Sequence, residues 1–376
     1  MERYAKIQKW SFWGGLVGLA IVLLLLLVNG QPQFQAAYNR EAAALFGASG
    51  DAYTQTLEAS RQYGYAPPPF GSMAIGPSIL LIPMLVFYLL WPNWGATLYG
   101  EVRGAGDYRR VFSGMFWGLW VTVGLSVLFF VLVAKTMGWE FYLAANSNYW
   151  ATIYDAQNAP TLAVPLWPYP ALLAGWLINS RAVQLIILLL MSLWFWGWAG
   201  TVFLSSTRVI FAAAFDRVLP EWAASVSPRS HVPTGALVLM IVPSIVVSWL
   251  YAYRPDLRTL TLDATLVIAI TYLGSVVAAT ILPWRRPGLY QGSPMARMKV
   301  AGLPLISVAG VITIAFLGFN LWRWVRDSTY GVNNPLSARY MLILYGLALV
   351  IYAVARVVRS RQGINLARVH QEIPVE

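Results

Sequence analysis

Trp91, Pro92, Asn93, Trp94 and Gly95 stand together inside an apolar run that opens near Pro77. The run is long enough to cross a bilayer. A helix in lipid has to satisfy its own backbone polar groups, so such a cluster is costly there. Pro92 has no N–H to donate, and its ring clashes with the preceding turn. Gly95 permits irregular backbone. The N–H and C=O groups freed by a break are tolerated beside protein or a water-filled cavity. There they can hydrogen-bond an ammonium or a carboxylate, and the N-terminus of a second half-helix favours an anion. Trp91 and Trp94 offer flat apolar faces, and Tyr88 stands one turn ahead of Pro92. Tyr88, Trp91, Asn93, Trp94 and Gly95 are therefore the candidate binding residues. The same cluster also reads as a structural proline kink between interfacial tryptophans.

A second group lies in MSLWFWGWAGTVFLSSTR. Thr201 and Ser205 are four residues apart and share a helix face, with Ser206 beside them. Hydroxyls are hard oxygen ligands suited to a small cation. They also serve as ordinary contacts between membrane helices. Other chemistry finds little footing. With no cysteine, thiolate metal sites and disulfides are excluded, and the two histidines, His231 and His370, are far apart. No P-loop, catalytic triad or metal motif is present, so the chain does not read as an enzyme. Charges within the apolar runs are few. Lys135, Arg208 and Glu101 fall near run ends, where Lys135 can snorkel to the interface. Asp216–Arg217 and Glu101–Arg103 read as ion pairs in loops.

The elements that must position these groups are membrane helices. Of 376 residues, 58% are hydrophobic and 11% charged, against about 25% charged in a soluble domain. Mean hydropathy is +0.59, and 18 tryptophans suit a protein with two membrane interfaces. The net charge of +11 is read as basic loops on one membrane side rather than as a nucleic-acid surface. Eight spans are expected, over 10–29, 75–99, 112–137, 183–207, 234–252, 262–283, 303–322 and 340–357. The first run is too long for a signal peptide and has no small-residue cleavage site. Most of the 26 Lys and Arg then fall on one side, among them Lys6, Lys9, Arg109, Arg110, Arg217, Arg285, Arg286 and Arg359. That bias places both termini in the cytoplasm of a multi-pass cell-membrane protein. Two outer loops are long, 30–74 and 138–182. The first holds two stretches with helical apolar spacing, and the second holds PLWPYPALLAGWLIN, suited to folding back on the outer face. Both read as caps over the outer mouth of a bundle, or as plain solvated linkers.

Residues 205–236, SSTRVIFAAAFDRVLPEWAASVSPRSHVPTGA, resemble the stretch after the eighth helix of amino acid permeases of the amino acid–polyamine–organocation (APC) superfamily. Asp216, Leu219, Pro220, Val226, Pro228, Arg229 and Pro233 fall on that pattern. Pro220 is placed to restart a short helix and Pro233 to open the next span. Gly100, Glu101 and Val102 match the "GEV" element that ends the sixth helix of the family, although GAGD replaces the usual turn after it. The resemblance implies an all-α polytopic fold: the second half of a LeuT-like 5+5 inverted-repeat transporter plus two C-terminal helices. The eight spans align with family helices five to twelve, so 75–283 corresponds to the second repeat, 284–357 to the last two helices and 358–376 to a cytoplasmic tail, in one transmembrane domain. The implied function is secondary transport of an amino acid or related amine. The implied substrate site lies between the broken first and sixth helices, which places 91–95 at the sixth. Na⁺-driven relatives bind the ion beside Thr201, Ser205 and Ser206. Proton-driven relatives use a lysine where this chain has Gly15, so no organic cofactor is expected and the driving ion is Na⁺ or H⁺. The alignment leaves helices one to four unaccounted for. The expectation is an N-terminally incomplete permease that binds substrate poorly alone and needs a second copy or a separate chain carrying helices 1–4. The alternative is a non-transporting fragment or scaffold subunit.

Overall fold

The computed structural model describes residues 2–72, 75–90, 95, 97–98, 106–229, 232–254, 257 and 260–369. The chain is built from α1 (Glu2–Val28), α2 (Gln31–Phe46), α3 (Ala52–Gln62), α4 (Ile75–Leu80), α5 (Ile82–Leu89), α6 (Tyr108–Val133) and α7 (Trp139–Tyr154). It continues through α8 (Pro170–Gly175), α9 (Arg181–Phe215), α10 (Thr234–Tyr253), α11 (Thr261–Arg285), α12 (Leu305–Arg326) and α13 (Pro335–Arg361). Seven helical stretches among the described residues are long and apolar enough to cross a bilayer: α1, α6 continuing into α7, and α9 to α13. This is an all-α polytopic membrane protein.

Two expectations change. The span expected over 75–99, with a break near Pro92, already divides at Leu81 into α4 and α5, and Pro92 lies outside the described residues. The segment 138–182 is not a plain loop, because α7 follows α6 directly through a π-helical turn, Ala134–Gly138. Gly138 has φ +86, a left-handed backbone conformation that glycine reaches without a Cβ penalty. A Cβ there would lie 2.6 Å from the Tyr53 hydroxyl. The two helical stretches expected in 30–74 are α2 and α3.

Contacts divide the chain into two compact units. The first comprises Met1–Ile75 and Tyr99–Leu204. Its core joins the shorter helices to α1, α6 and α9; Phe34, Met137 and Phe141 are fully buried there and the Tyr53 and Phe141 rings stack at 4.1 Å. Burial pushes the Tyr38 hydroxyl up to about 12, against a smaller opposite effect of its Thr56 hydrogen bond. Lys135 stands in the π-helical turn after α6. Its ammonium donates to the Leu26, Leu27 and Asn29 carbonyls at 3.2, 2.5 and 2.9 Å, at the end of α1 where unpaired carbonyls and the helix dipole favour a cation. The Glu41 carboxylate, 2% exposed, is held by Arg40, Arg181 and Gln184. Gly14 and Gly18, one turn apart on α1, let α9 approach closely: a Cβ on Gly18 would lie 2.9 Å from Leu190.

The second unit comprises Gly76–Leu98 and Ser205–Glu376. Val86, Leu266, Ala269, Leu317, Trp324, Tyr330 and Val332 form its core, so α5, α11 and α12 meet with the turn between α12 and α13. At Gly310 any Cβ would meet the Thr280 hydroxyl at 2.0 Å, which is why α11 and α12 can pack so closely. The turn after α9 is fastened by Arg359 on α13. Its guanidinium donates to the Arg217 and Leu219 carbonyls at 3.1 and 3.2 Å. Arg217 pairs with Glu221 at 2.7 Å rather than with its neighbour Asp216. As expected, Pro220 precedes a short helix, Glu221–Ala224, and Pro233 precedes α10.

Candidate functional site

The discontinuous span 75–90 is the natural place to look, because its sequence forces breaks. Pro83 has no N–H. Leu81 donates to Ser78, three residues back rather than four. The Met84 and Leu85 amides both go to the Leu81 carbonyl. The Leu80 carbonyl is thereby left without a helical partner, and the buried Tyr330 hydroxyl donates to it at 2.7 Å. α5 closes with the Leu90 amide on the Val86 carbonyl at 3.0 Å. The Leu90 carbonyl accepts from the Tyr272 hydroxyl of α11 at 3.3 Å. Beyond it, Leu98 donates to Gly95 in a single turn. Two tyrosines thus satisfy backbone groups that lipid could not.

The expected site residues are distributed as follows. Trp91, Asn93 and Trp94 lie outside the described residues, as does the Gly100–Val102 element. Tyr88 is 70% exposed. Gly95 is exposed, with open space where a Cβ would stand. The three hydroxyls on α9 have different surroundings. Thr201 accepts from Gln8 and shares a hydrogen bond with Tyr4, each at 2.8 Å. Ser205, one turn on, is buried and shares a hydrogen bond with Thr97 at 2.5 Å. Ser206 is half-buried. A Cβ on Gly15 would lie 2.5 Å from the Trp194 indole, so no lysine-sized side chain fits there.

Three contributors were not anticipated. Tyr272 and Tyr330 carry no local signal, since their role appears only when α11 and the α12–α13 turn meet the broken span. Asp263, in the first turn of α11, is fully buried, and neither carboxylate oxygen has a hydrogen-bond partner. A signal for it existed: it is a lone acid at the very start of an apolar run. The nearby Thr265 hydroxyl is also buried and unpartnered. The turn that carries Tyr330 is itself rigidly built. The Thr329 hydroxyl and amide, with lesser help from Arg323, hold the Asp327 carboxyl below the usual range. Arg323 pairs with Asp327 at 2.6 Å, and Asn334 caps α13 by accepting from the Ser337 amide at 2.8 Å.

No curated protein and no solved structure matches the chain. A family model does: that of the amino acid permeases matches residues 1–351. Discontinuous helices within a membrane bundle are typical of secondary transporters. The match covers nearly the whole chain, and on it the chain belongs to the amino acid permease family.

Proposed function

We propose that the chain serves secondary transport of an amino acid with a neutral or apolar side chain, or a related amine, bound at the break 91–95. The observation that supports this reading most is the closing of α5 at Leu90, two residues before Pro92, with Tyr272 on its last carbonyl. A break at that place frees further backbone groups for a ligand's ammonium and carboxylate. Trp91, Trp94 and Tyr88 then form the apolar walls, and Asn93 supplies a polar contact. Few charges stand within the spans, which suits an uncharged side chain. The wall opposite the break comes from a second copy of the chain or from a separate chain. Ser205 with Thr97 is the hydroxyl pair nearest in sequence to the break, and the drive is an ion gradient of Na⁺ or H⁺. Both termini lie in the cytoplasm of the cell membrane, which a cleavable C-terminal tag on intact cells checks: cleavage by an external protease contradicts it.

The test is binding of labelled neutral, cationic and anionic amino acids and amines to the chain in liposomes. Saturable binding of a neutral compound is expected, weakened about tenfold or more by Asn93→Ala and by Trp94→Ala, since each leaves a desolvated group without its partner. Equal binding by both variants and the parent places the site elsewhere.

A further inference from the structure

Asp263 is absent from every role described so far. It is 0% exposed, and both carboxylate oxygens are without a hydrogen-bond partner. We propose that Asp263 is a proton-binding site whose loading sets the pose of the broken span. This inference rests on the transport reading and names its driving ion.

The surroundings of Asp263 are few and identifiable. Ser337, from the first turn of α13, is the hydroxyl beside it, placed as a weak donor to the carboxyl although outside ordinary hydrogen-bond geometry. That hydroxyl accepts from Asn334 at 2.9 Å, which leaves its own proton free to turn toward the carboxyl. Tyr340 on α13 is the ionisable side chain near enough to feel the charge of an Asp263 carboxylate. On α12 and the following turn, Arg323 and Asp327 are paired with each other and Tyr330 is engaged with Leu80. Among the described residues, no lysine or arginine pairs with Asp263.

A buried, unpaired carboxylate is strongly disfavoured as an anion, and the simplest remedy is a proton. The amino ends of α11 and α13 both lie at this corner and favour the anion. Burial and helix dipoles therefore oppose each other, which suits a group that must both load and release. A metal cation suits the place poorly. It would face free N–H groups at a helix start rather than carbonyls.

The corner is mechanically tied to the break. Asp263, Leu266 and Ile270 fall on one face of α11 by their spacing. Leu266 and Ile270 belong to the cluster that packs Val86 of α5. Tyr330 and Val332, in the turn before α13, belong to it too, and Tyr330 holds the Leu80 carbonyl at the bend between α4 and α5. Loss of the proton turns the Ser337 hydroxyl toward a new charge and draws water into the corner that holds that bend.

The test uses the full chain in liposomes, with infrared difference spectra recorded across pH. A protonated-carboxyl C=O band is expected that titrates in the parent and is missing in Asp263→Asn. The affinity for a labelled neutral amino acid should vary about tenfold with pH in the parent and less than about twofold in Asp263→Asn. If Asp263→Asn does not fold, Asp263→Glu replaces it: the band should shift in position and midpoint. A band unchanged in either variant overturns the proposal. A band lost on adding Na⁺ at constant pH also overturns it, in favour of a metal cation. Absence of amino acid binding to every form, with the band still titrating, contradicts the transport reading and leaves the proton site standing.

Discussion

Asp51 shows how one carboxylate decides where a helix starts. It accepts from the Thr54 amide at 3.2 Å and the Thr54 hydroxyl at 2.6 Å, and Asn39 and Gln35 also donate to it. Those donors, the Thr54 hydroxyl first, hold its carboxyl below the ordinary value. A group depressed in the folded state contributes fully above its unfolded pKa, and that contribution is lost as pH falls through the folded one. Asp51→Ala should cost about 1 kcal/mol of local stability at neutral pH, read as faster amide exchange at Thr54 and Gln55. Asp51→Asn should keep the cap and lose the acid dependence. Equal exchange in the parent and Asp51→Ala would show that the cap does not hold α3. Gly15 makes a related point by its emptiness. The Trp194 indole covers it, so a lysine here, which the resemblance implies for proton-driven relatives, would have to displace that ring.

At the scale of elements, what the sequence could and could not reveal follows from range. A discontinuity in this span was legible because proline and glycine act on their own turn, although the described one falls at Leu81 and Pro92 lies outside the described residues. The long spans were legible because lipid rewards unbroken apolar length. The α6–α7 turn was not, because Gly138 reads as an ordinary end of a span until Gln31 and Tyr53 are packed against it. Nor were Tyr330 and Tyr272, whose partners lie 250 and 182 residues away. Their role is testable. Tyr330→Phe keeps the ring and removes only the donor to the Leu80 carbonyl. A buried carbonyl left unpaired costs about 1–3 kcal/mol. The expected result is a lower unfolding temperature and easier proteolysis at the bend between α4 and α5. An unchanged melt would mean that water or another donor reaches Leu80.

At the scale of the whole molecule, two kinds of packing coexist. Large apolar side chains along the spans stay uncovered, with Leu342 76% and Leu349 70% exposed on α13, because association between helices in lipid gains little from apolar burial. The aromatic core around Phe141 instead lies among shorter helices. The division of labour proposed for the second unit is that α11, α12 and the turn before α13 hold the broken span, the break binds substrate, and Asp263 carries the proton. The central claim is that substrate occupies the break. The chain has no cysteine, so Asn93→Cys carries a single reactive thiol. Its labelling by a membrane-permeant maleimide, with and without a neutral amino acid, is the direct measurement, with Leu349→Cys as the control on a span face. Slowing of labelling at 93 that saturates with amino acid concentration, and none at 349, is the predicted result. Equal rates at 93 with and without amino acid, at concentrations where labelled amino acid binds the same liposomes, would contradict the account.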